Sequence, residues 1–71
     1  MRVNLEKLKR LRKKKGLTLL AVSEHLGFKS QQGYFYKESG VRAISAVELG
    51  ALAALYGVSM DDLLEPEGQT A

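Results

Sequence analysis

Apolar residues recur along the first part of the chain at a helical spacing. Leu5, Leu8 and Leu11 repeat every three residues among charged neighbours, which predicts an amphipathic helix. Asn4, just before this run, is a residue type that caps helix N-termini, and Gly16 after the run favours a stop. The sequence therefore predicts a first helix between these two residues.

Two shorter helical patterns follow. Thr18 is predicted to cap a second helix over residues 19–26, which Gly27 closes in a left-handed conformation. Ser30 is predicted to cap a third helix over residues 31–39. Only residues 28–30 separate the two helices, so we expect them to meet at a tight corner.

The fourth helical pattern has the clearest start. Ser45 and Glu48 have the spacing of a capping box, in which each side chain satisfies a free backbone N–H at the helix terminus. One face of the helix, at positions i, i+3, i+4 and i+7, then carries Leu49, Leu52, Ala53 and Tyr56. Gly57 ends this pattern.

A last short helix is predicted from a Ser59 cap through Leu64, followed by a flexible tail over residues 65–71. Neither sustained alternation of apolar and polar residues nor a hairpin turn predicts a strand. The expected fold is therefore all-α, a compact five-helix bundle in one domain over residues 1–64. The predicted core consists of Leu8, Leu11, Leu17, Val22, Leu26, Tyr34, Leu49, Leu52, Ala53, Val58 and Leu63.

Charge divides the chain into two unlike parts. Residues 1–42 hold all eleven Lys and Arg and only three acids, a net charge of +8. The remainder holds five acids and no base, a net charge of −5. A positive end of this kind suits a polyanion, because neutralising phosphates releases counterions. An ordinary solvated helix face over residues 7–15 is the alternative interpretation.

Composition gives no support to catalysis or metal binding. The chain has one histidine and no cysteine, and it shows neither a catalytic triad pattern nor a phosphate-binding glycine loop. We expect no enzyme activity, no cofactor and no metal. No apolar run is long enough for a signal peptide or a membrane span, so a cytoplasmic protein with no membrane partner is expected. At 71 residues, the chain leaves no room for a separate sensor domain, and no small-molecule effector is expected.

The corner between the second and third helices carries the functional signal. In helix-turn-helix proteins such a corner lets the second helix of the pair enter the major groove. The third helix begins with Gln31 and Gln32, and glutamine pairs bidentately with adenine. Neither residue belongs to an apolar face. The alternative is that both are simply exposed polar residues at a helix start.

Several segments together resemble the helix-turn-helix family of lambdoid phage repressors and Cro, also called Xre-type. The matching segments are Leu11-Arg12, Gly16-Leu17-Thr18, Leu26-Gly27, residues 30–40 and residues 55–64. The resemblance covers about 60 residues of the chain. It implies a lambda-repressor-like DNA-binding domain whose third helix contacts base edges.

The resemblance also implies roles for individual residues. Gln31, Gln32 and Tyr36 would read bases, while Arg12 and Glu38 would form a structural ion pair between the first and third helices. The residues expected to lie along the DNA backbone are Thr18, Lys29, Ser30, Phe35 and Arg42.

Some positions depart from the family pattern. Leu19 stands where a phosphate-binding glutamine is common, and Lys37 stands at an apolar core position, so it must turn outward or the helix must rotate. Gly33 weakens a helix interior by about 1 kcal/mol relative to alanine. Phe35 and Tyr36 are large aromatics on the expected DNA side, where they would pack against thymine methyl groups or contact a protein.

These observations predict a sequence-specific regulator of transcription that binds double-stranded DNA, in particular a repressor acting as a homodimer on a palindromic operator. Two half-sites would lie one helical turn, about 34 Å, apart. Met60, Leu63 and Leu64, in the part without positive charge, are the expected dimer surface. The alternative is a protein-interaction module, such as an antitoxin or anti-repressor, built on the same fold, because exposed aromatics favour protein interfaces.

Overall fold

The computed structural model describes residues 2–66, and four α-helices account for most of them. Their bounds are α1 Leu5–Lys14, α2 Leu19–His25, α3 Gln31–Glu38 and α4 Ala46–Tyr56. The predicted N-caps hold for three of them, because Asn4, Thr18 and Ser45 each accept a hydrogen bond from a backbone N–H in the first turn. The capping box of α4 is complete, with both Ser45 and Glu48 bonded to the other's backbone N–H.

The predicted fifth helix is wrong. Residues Asp61–Leu63 form a single 3-10 turn, so the described residues contain four α-helices rather than five. Ser59 and Asp62 do bond each other's backbone N–H in the manner of a capping box. The turn ends after three residues because Leu64 adopts an extended conformation (φ −107°, ψ 152°) and pairs with the other end of the chain.

The expectation that no strand occurs is also wrong. Strands β1 (Arg2–Val3) and β2 (Leu64–Glu65) pair antiparallel, with Arg2 opposite Glu65 and Val3 opposite Leu64. Two-residue strands are too short to show an alternating pattern, and their pairing depends on the two chain ends meeting. The predicted tail began at Glu65, which lies in β2, and residues 67–71 of that tail lie outside the described residues.

The core lies where α1, α2, α3, α4 and the 3-10 turn converge. Its buried apolar residues are Leu8, Val22, Tyr34, Leu49, Leu52, Ala53, Tyr56 and Leu63. Leu11, Leu17, Leu26 and Val58, which the sequence also assigns to the core, are only partly buried at its margin. Within residues 2–66, no helix has both the length and the apolar character needed to cross a membrane.

Candidate nucleic-acid interface

The corner between α2 and α3 is built from backbone hydrogen bonds around Gly27. This glycine has a φ of +89°, a conformation that other residues rarely adopt. Its N–H donates to the carbonyl of Glu24 (3.0 Å) and the N–H of Phe28 donates to the carbonyl of Ser23 (2.9 Å). These two bonds form a Schellman motif, which ends α2 and turns the chain toward α3.

A buried serine joins the two helices of the corner. The Ser23 hydroxyl, fully buried, accepts from the N–H of Tyr34 (2.8 Å) and donates to the carbonyl of Gln31 (3.2 Å). The small side chain lets α3 approach α2 closely while satisfying one N–H and one carbonyl of α3. Ser23 is not predictable from the sequence as a functional residue, because its sole signal is a small polar side chain next to the core residue Val22.

Helix α3 has an inward face and an outward face. Tyr34 and Glu38, four residues apart, are buried, whereas Gln31, Gln32 and Phe35 are exposed. Tyr36 lies between the two faces and is half-buried. The three exposed residues share one side of the helix because residues three or four apart are neighbours on a helical surface.

A buried ion pair ties α3 to α1. Both the Nε and an Nη of Arg12 donate to the Glu38 carboxylate, at distances of 3.0 and 3.1 Å, and its other Nη donates to the carbonyl of Leu17 (3.0 Å). The hydrogen bonds with Glu38 raise the pKa of Arg12. Arg12 and Glu38 thus form an ion pair at the two positions for which the family resemblance implied one.

A tyrosine pair ties α3 to α4. The hydroxyl groups of Tyr34 and Tyr56 lie 3.0 Å apart in the core and share a hydrogen bond. Burial raises the pKa of both side chains, so the pair is neutral across the ordinary pH range. Each hydroxyl therefore has a partner inside the core, which is the requirement for burying tyrosine.

Lys37, the lysine at an expected core position, forms a bridge from α3 to the start of α4. Its Nζ donates to the carbonyl of Ala43 (2.8 Å) and lies 3.0 Å from Oε1 of Glu48. It also lies 5.9 Å from the centre of the Phe28 ring. Burial acts to raise the pKa of Glu48, but hydrogen bonds from Ser45 and Lys37 outweigh it and lower that pKa. The side chain is thus held against the protein instead of extending into solvent.

Gly33 is explained by the ring of Phe28. A Cβ atom on Gly33 would lie 2.5 Å from Cγ and 2.7 Å from Cβ of Phe28, far inside contact distance. Because those atoms are at the base of the side chain, rotation of the ring does not relieve the clash. Glycine therefore lets the turn residue Phe28 pack directly on α3.

The residues expected along a DNA backbone surround α3. Thr18 lies at the start of α2, where its hydroxyl accepts from the N–H of Ala21 (3.0 Å). Lys29 and Arg42 are exposed on either side of α3, and the N–H of Arg42 donates to the carbonyl of Tyr36 (3.0 Å). Ser30 occupies the N-cap position of α3, but its side chain makes no capping hydrogen bond, contrary to the prediction. The N–H of Gly33, a natural target for that cap, donates instead to the Ser30 carbonyl (3.2 Å).

An open cleft of about 250 Å³ lies between α1 and the exposed side of α3. Lys9 and Lys13 of α1, Leu19 of α2 and Phe35 of α3 line it. Lys9 was not singled out from sequence, since a basic residue on an amphipathic helix looks like any solvated charge until the packing of α1 is known. The cleft places two exposed cations beside the outward face of α3.

A tight corner followed by a helix with an uncovered, polar first turn defines a helix-turn-helix protein. A family model described as helix-turn-helix matches residues 8–63, most of the chain. The chain belongs to this family, the Xre and lambda-repressor type, which is a DNA-binding and typically non-enzymatic family. No curated protein and no solved structure matches the chain significantly.

Proposed function

We propose that this protein is a sequence-specific regulator of transcription that inserts α3 into the major groove of double-stranded DNA. The observation that carries the proposal is the first turn of α3, where Gln31 and Gln32 are both exposed on a helix that is bonded to α1, α2 and α4. Side chains at the start of a recognition helix contact base edges in this geometry. Glutamine pairs with N6 and N7 of adenine, and Tyr36 lies one turn further along the helix.

Backbone contacts would come from the residues around α3. Lys29 and Arg42 are exposed cations near its two ends, and the hydroxyl groups of Thr18 and Ser30 lie at the starts of α2 and α3. Residues 1–42 carry a net charge of +8, which supports strong, salt-dependent attraction to phosphates. Contacts of this kind fix the position of the domain on DNA and carry no sequence information.

We further propose that the protein acts as a repressor in the form of a homodimer on a palindromic operator. The dimer surface expected from the sequence needs revision, because Leu63 is fully buried and Leu64 half-buried in β2. Met60 remains 41% exposed, and Val47 on the outward side of α4 is 83% exposed. These two residues are the better candidates for a contact between copies. Sedimentation of the wild type and of Val47→Lys at micromolar concentration tests this assignment. A wild-type protein that is monomeric both with and without DNA would contradict the proposed homodimer.

Selection of bound sites from a random duplex pool tests the proposed function directly. A symmetric consensus is expected. On that site, Gln31→Ala is expected to cost about 1–3 kcal/mol and to relax the choice at one base pair per half-site. Arg42→Ala is expected to weaken binding to all sequences alike and to reduce the salt slope by about one.

Arg10→Ala is the matched control, since Arg10 is exposed on α1 and lines a different groove from that of Lys9 and Lys13. It removes the same charge as Arg42→Ala away from α3 and is expected to change affinity less. Equal effects of Gln31→Ala on the selected site and on random DNA would refute base reading. Retention on heparin that is independent of salt, with no enriched site, would favour the protein-interaction alternative.

A further inference from the structure

Phe35 is a large apolar side chain on the most polar face of the recognition helix. It is 45% exposed, although α3 buries a different aromatic residue, Tyr34, completely. Phe35 follows Gln32 by three residues and Gln31 by four, so its ring lies next to both glutamines on the same helical face. Because the half-buried Leu19 lines the same cleft as Phe35, the exposed apolar surface there is shared by more than one side chain, as is typical of a surface that is covered on binding.

The surroundings of the ring narrow the chemistry of that target. Phe35 lines the cleft together with Leu19 and the exposed Lys9 and Lys13. The Glu38 carboxylate, which also lines it, is paired with Arg12, so the two lysines give the cleft its excess charge. On its other side the Tyr36 ring lies 5.9 Å away, tilted by 49°. A target that presents an apolar group close to negative charge complements these surroundings.

Thymine in a duplex fits both requirements. Its 5-methyl group is the apolar group that base edges display in the major groove, and phosphates flank it. A phenyl ring has no donor for a phosphate oxygen, which argues against the expected role of Phe35 at the DNA backbone. A protein partner would place a larger apolar surface here, whereas the neighbours of Phe35 on the same face of α3 are glutamines and two exposed lysines line the same cleft.

We propose that Phe35 contacts the 5-methyl group of a thymine adjacent to the bases read by Gln31 and Gln32, and so makes that thymine part of the recognised sequence. This inference rests on the proposed function, because it requires α3 to lie in the major groove. It assigns a fourth reading position to α3, in addition to the two glutamines and Tyr36.

The test replaces each thymine of the selected site in turn by deoxyuridine, which removes the methyl group and keeps base pairing. Affinity is measured by fluorescence anisotropy at one fixed salt concentration. For the wild type, one thymine in each half-site is expected to show a loss of about three- to five-fold, the value for burying one methyl group. Phe35→Ala is expected to bind the thymine duplex and the deoxyuridine duplex equally, so the effect of deoxyuridine disappears in this variant.

Two further variants are controls, one for a general effect of substitution and one for a methyl contact made by a neighbouring side chain instead of Phe35. Arg10→Ala changes an exposed side chain of α1 outside the cleft that Phe35 lines and is expected to keep the full sensitivity to deoxyuridine. Tyr36→Ala is expected to keep it as well, since the methyl contact belongs to Phe35. Circular dichroism of Phe35→Ala checks that its helices are intact.

The outcomes separate this inference from the proposed function. If no sequence is enriched from the random pool, the proposed function and the inference both fail. If a site is enriched but deoxyuridine has no effect anywhere, or its effect persists in Phe35→Ala, the inference is overturned and the proposed function stands. Loss of the effect in Tyr36→Ala alone would assign the methyl contact to Tyr36 and would also overturn it.

Discussion

Helices α3 and α4 are neighbours in the same small domain but are held in place by different kinds of contact. Helix α4 buries four residues of one face, namely Leu49, Leu52, Ala53 and Tyr56, and its N-terminus is closed by its own capping box. Helix α3 buries only Tyr34 and Glu38. Because one face of α3 is exposed, this helix has fewer side chains left for the core.

Directional polar contacts replace apolar packing around α3. Arg12 binds Glu38 from α1, the Ser23 hydroxyl binds the backbone of α3 from α2, and Lys37 reaches Glu48 at the start of α4. Apolar packing tolerates small shifts, whereas hydrogen bonds depend on distance and angle. The comparison suggests that the orientation of α3 is set mainly by these polar contacts, and each of the following predictions tests one side of it.

The largest effect is expected for Arg12→Ala. This change leaves the Glu38 carboxylate buried without its partner, which typically costs about 3–5 kcal/mol. Urea unfolding followed by circular dichroism measures the change in the free energy of unfolding. Arg10→Ala, an exposed position on the same helix, is the control and should change stability by less than about 0.5 kcal/mol. Equal stabilities of the two variants would show that the ion pair does not hold α3.

On the other side of the comparison, Leu52→Ala is expected to destabilise the domain by about 2–5 kcal/mol. Leu52 is fully buried, so truncation removes apolar contacts and leaves a cavity. Val47→Ala on the same helix, at an 83% exposed site, should cost no more than about 0.5 kcal/mol. The same urea titration compares them, and a small effect of Leu52→Ala would mean that α4 does not depend on apolar packing.

An intermediate effect is expected for Gly33→Ala. Helix propensity alone would make alanine more stable by about 1 kcal/mol. The clash with Phe28 reverses the sign, and a net loss of about 1–3 kcal/mol is expected from overpacking. Thermal unfolding of Gly33→Ala, Phe28→Gly and the double variant measures the coupling, because glycine at position 28 removes both the Cβ and the Cγ that cause the clash. The double variant should be more stable than the sum of the single effects predicts, and simple additivity would contradict the proposed clash.

The smallest effect concerns the charge of Glu48. The pKa of Glu48 is lowered below the usual 4.5. The ionised form of Glu48 therefore stabilises the folded state above pH 4.5, and this contribution is lost as the pH falls through the lowered pKa. Glu48→Gln should therefore cost up to about 1 kcal/mol at pH 7 and progressively less below pH 4.5. Urea unfolding across that pH range measures the difference. In a Lys37→Met background the pH dependence should shrink, and an unchanged dependence would argue against the Lys37–Glu48 contact.

Much of the local structure was predictable from the sequence. The starts of α1, α2 and α4 follow from capping residues and the helix face of α4 from its apolar spacing, because both depend on residues no more than a few positions apart. The outward pair of Gln31 and Gln32 was predictable too, as two polar residues outside any apolar pattern. The family resemblance supplied the pairing of Arg12 with Glu38, which local patterns do not contain.

The tertiary structure decided what depends on parts of the chain that are distant in sequence. The pairing of β1 with β2 joins Arg2 to Glu65 and Val3 to Leu64, from opposite ends of the described chain, and no local pattern marks two-residue strands. The partner of Lys37, the burial of Ser23 and the need for glycine at position 33 likewise follow from how helices and the turn pack against one another. Sequence periodicity thus determined which helices form. Packing determined how α3 is held with one face exposed, because the position and orientation of a helix arise from contacts that form only when the elements assemble.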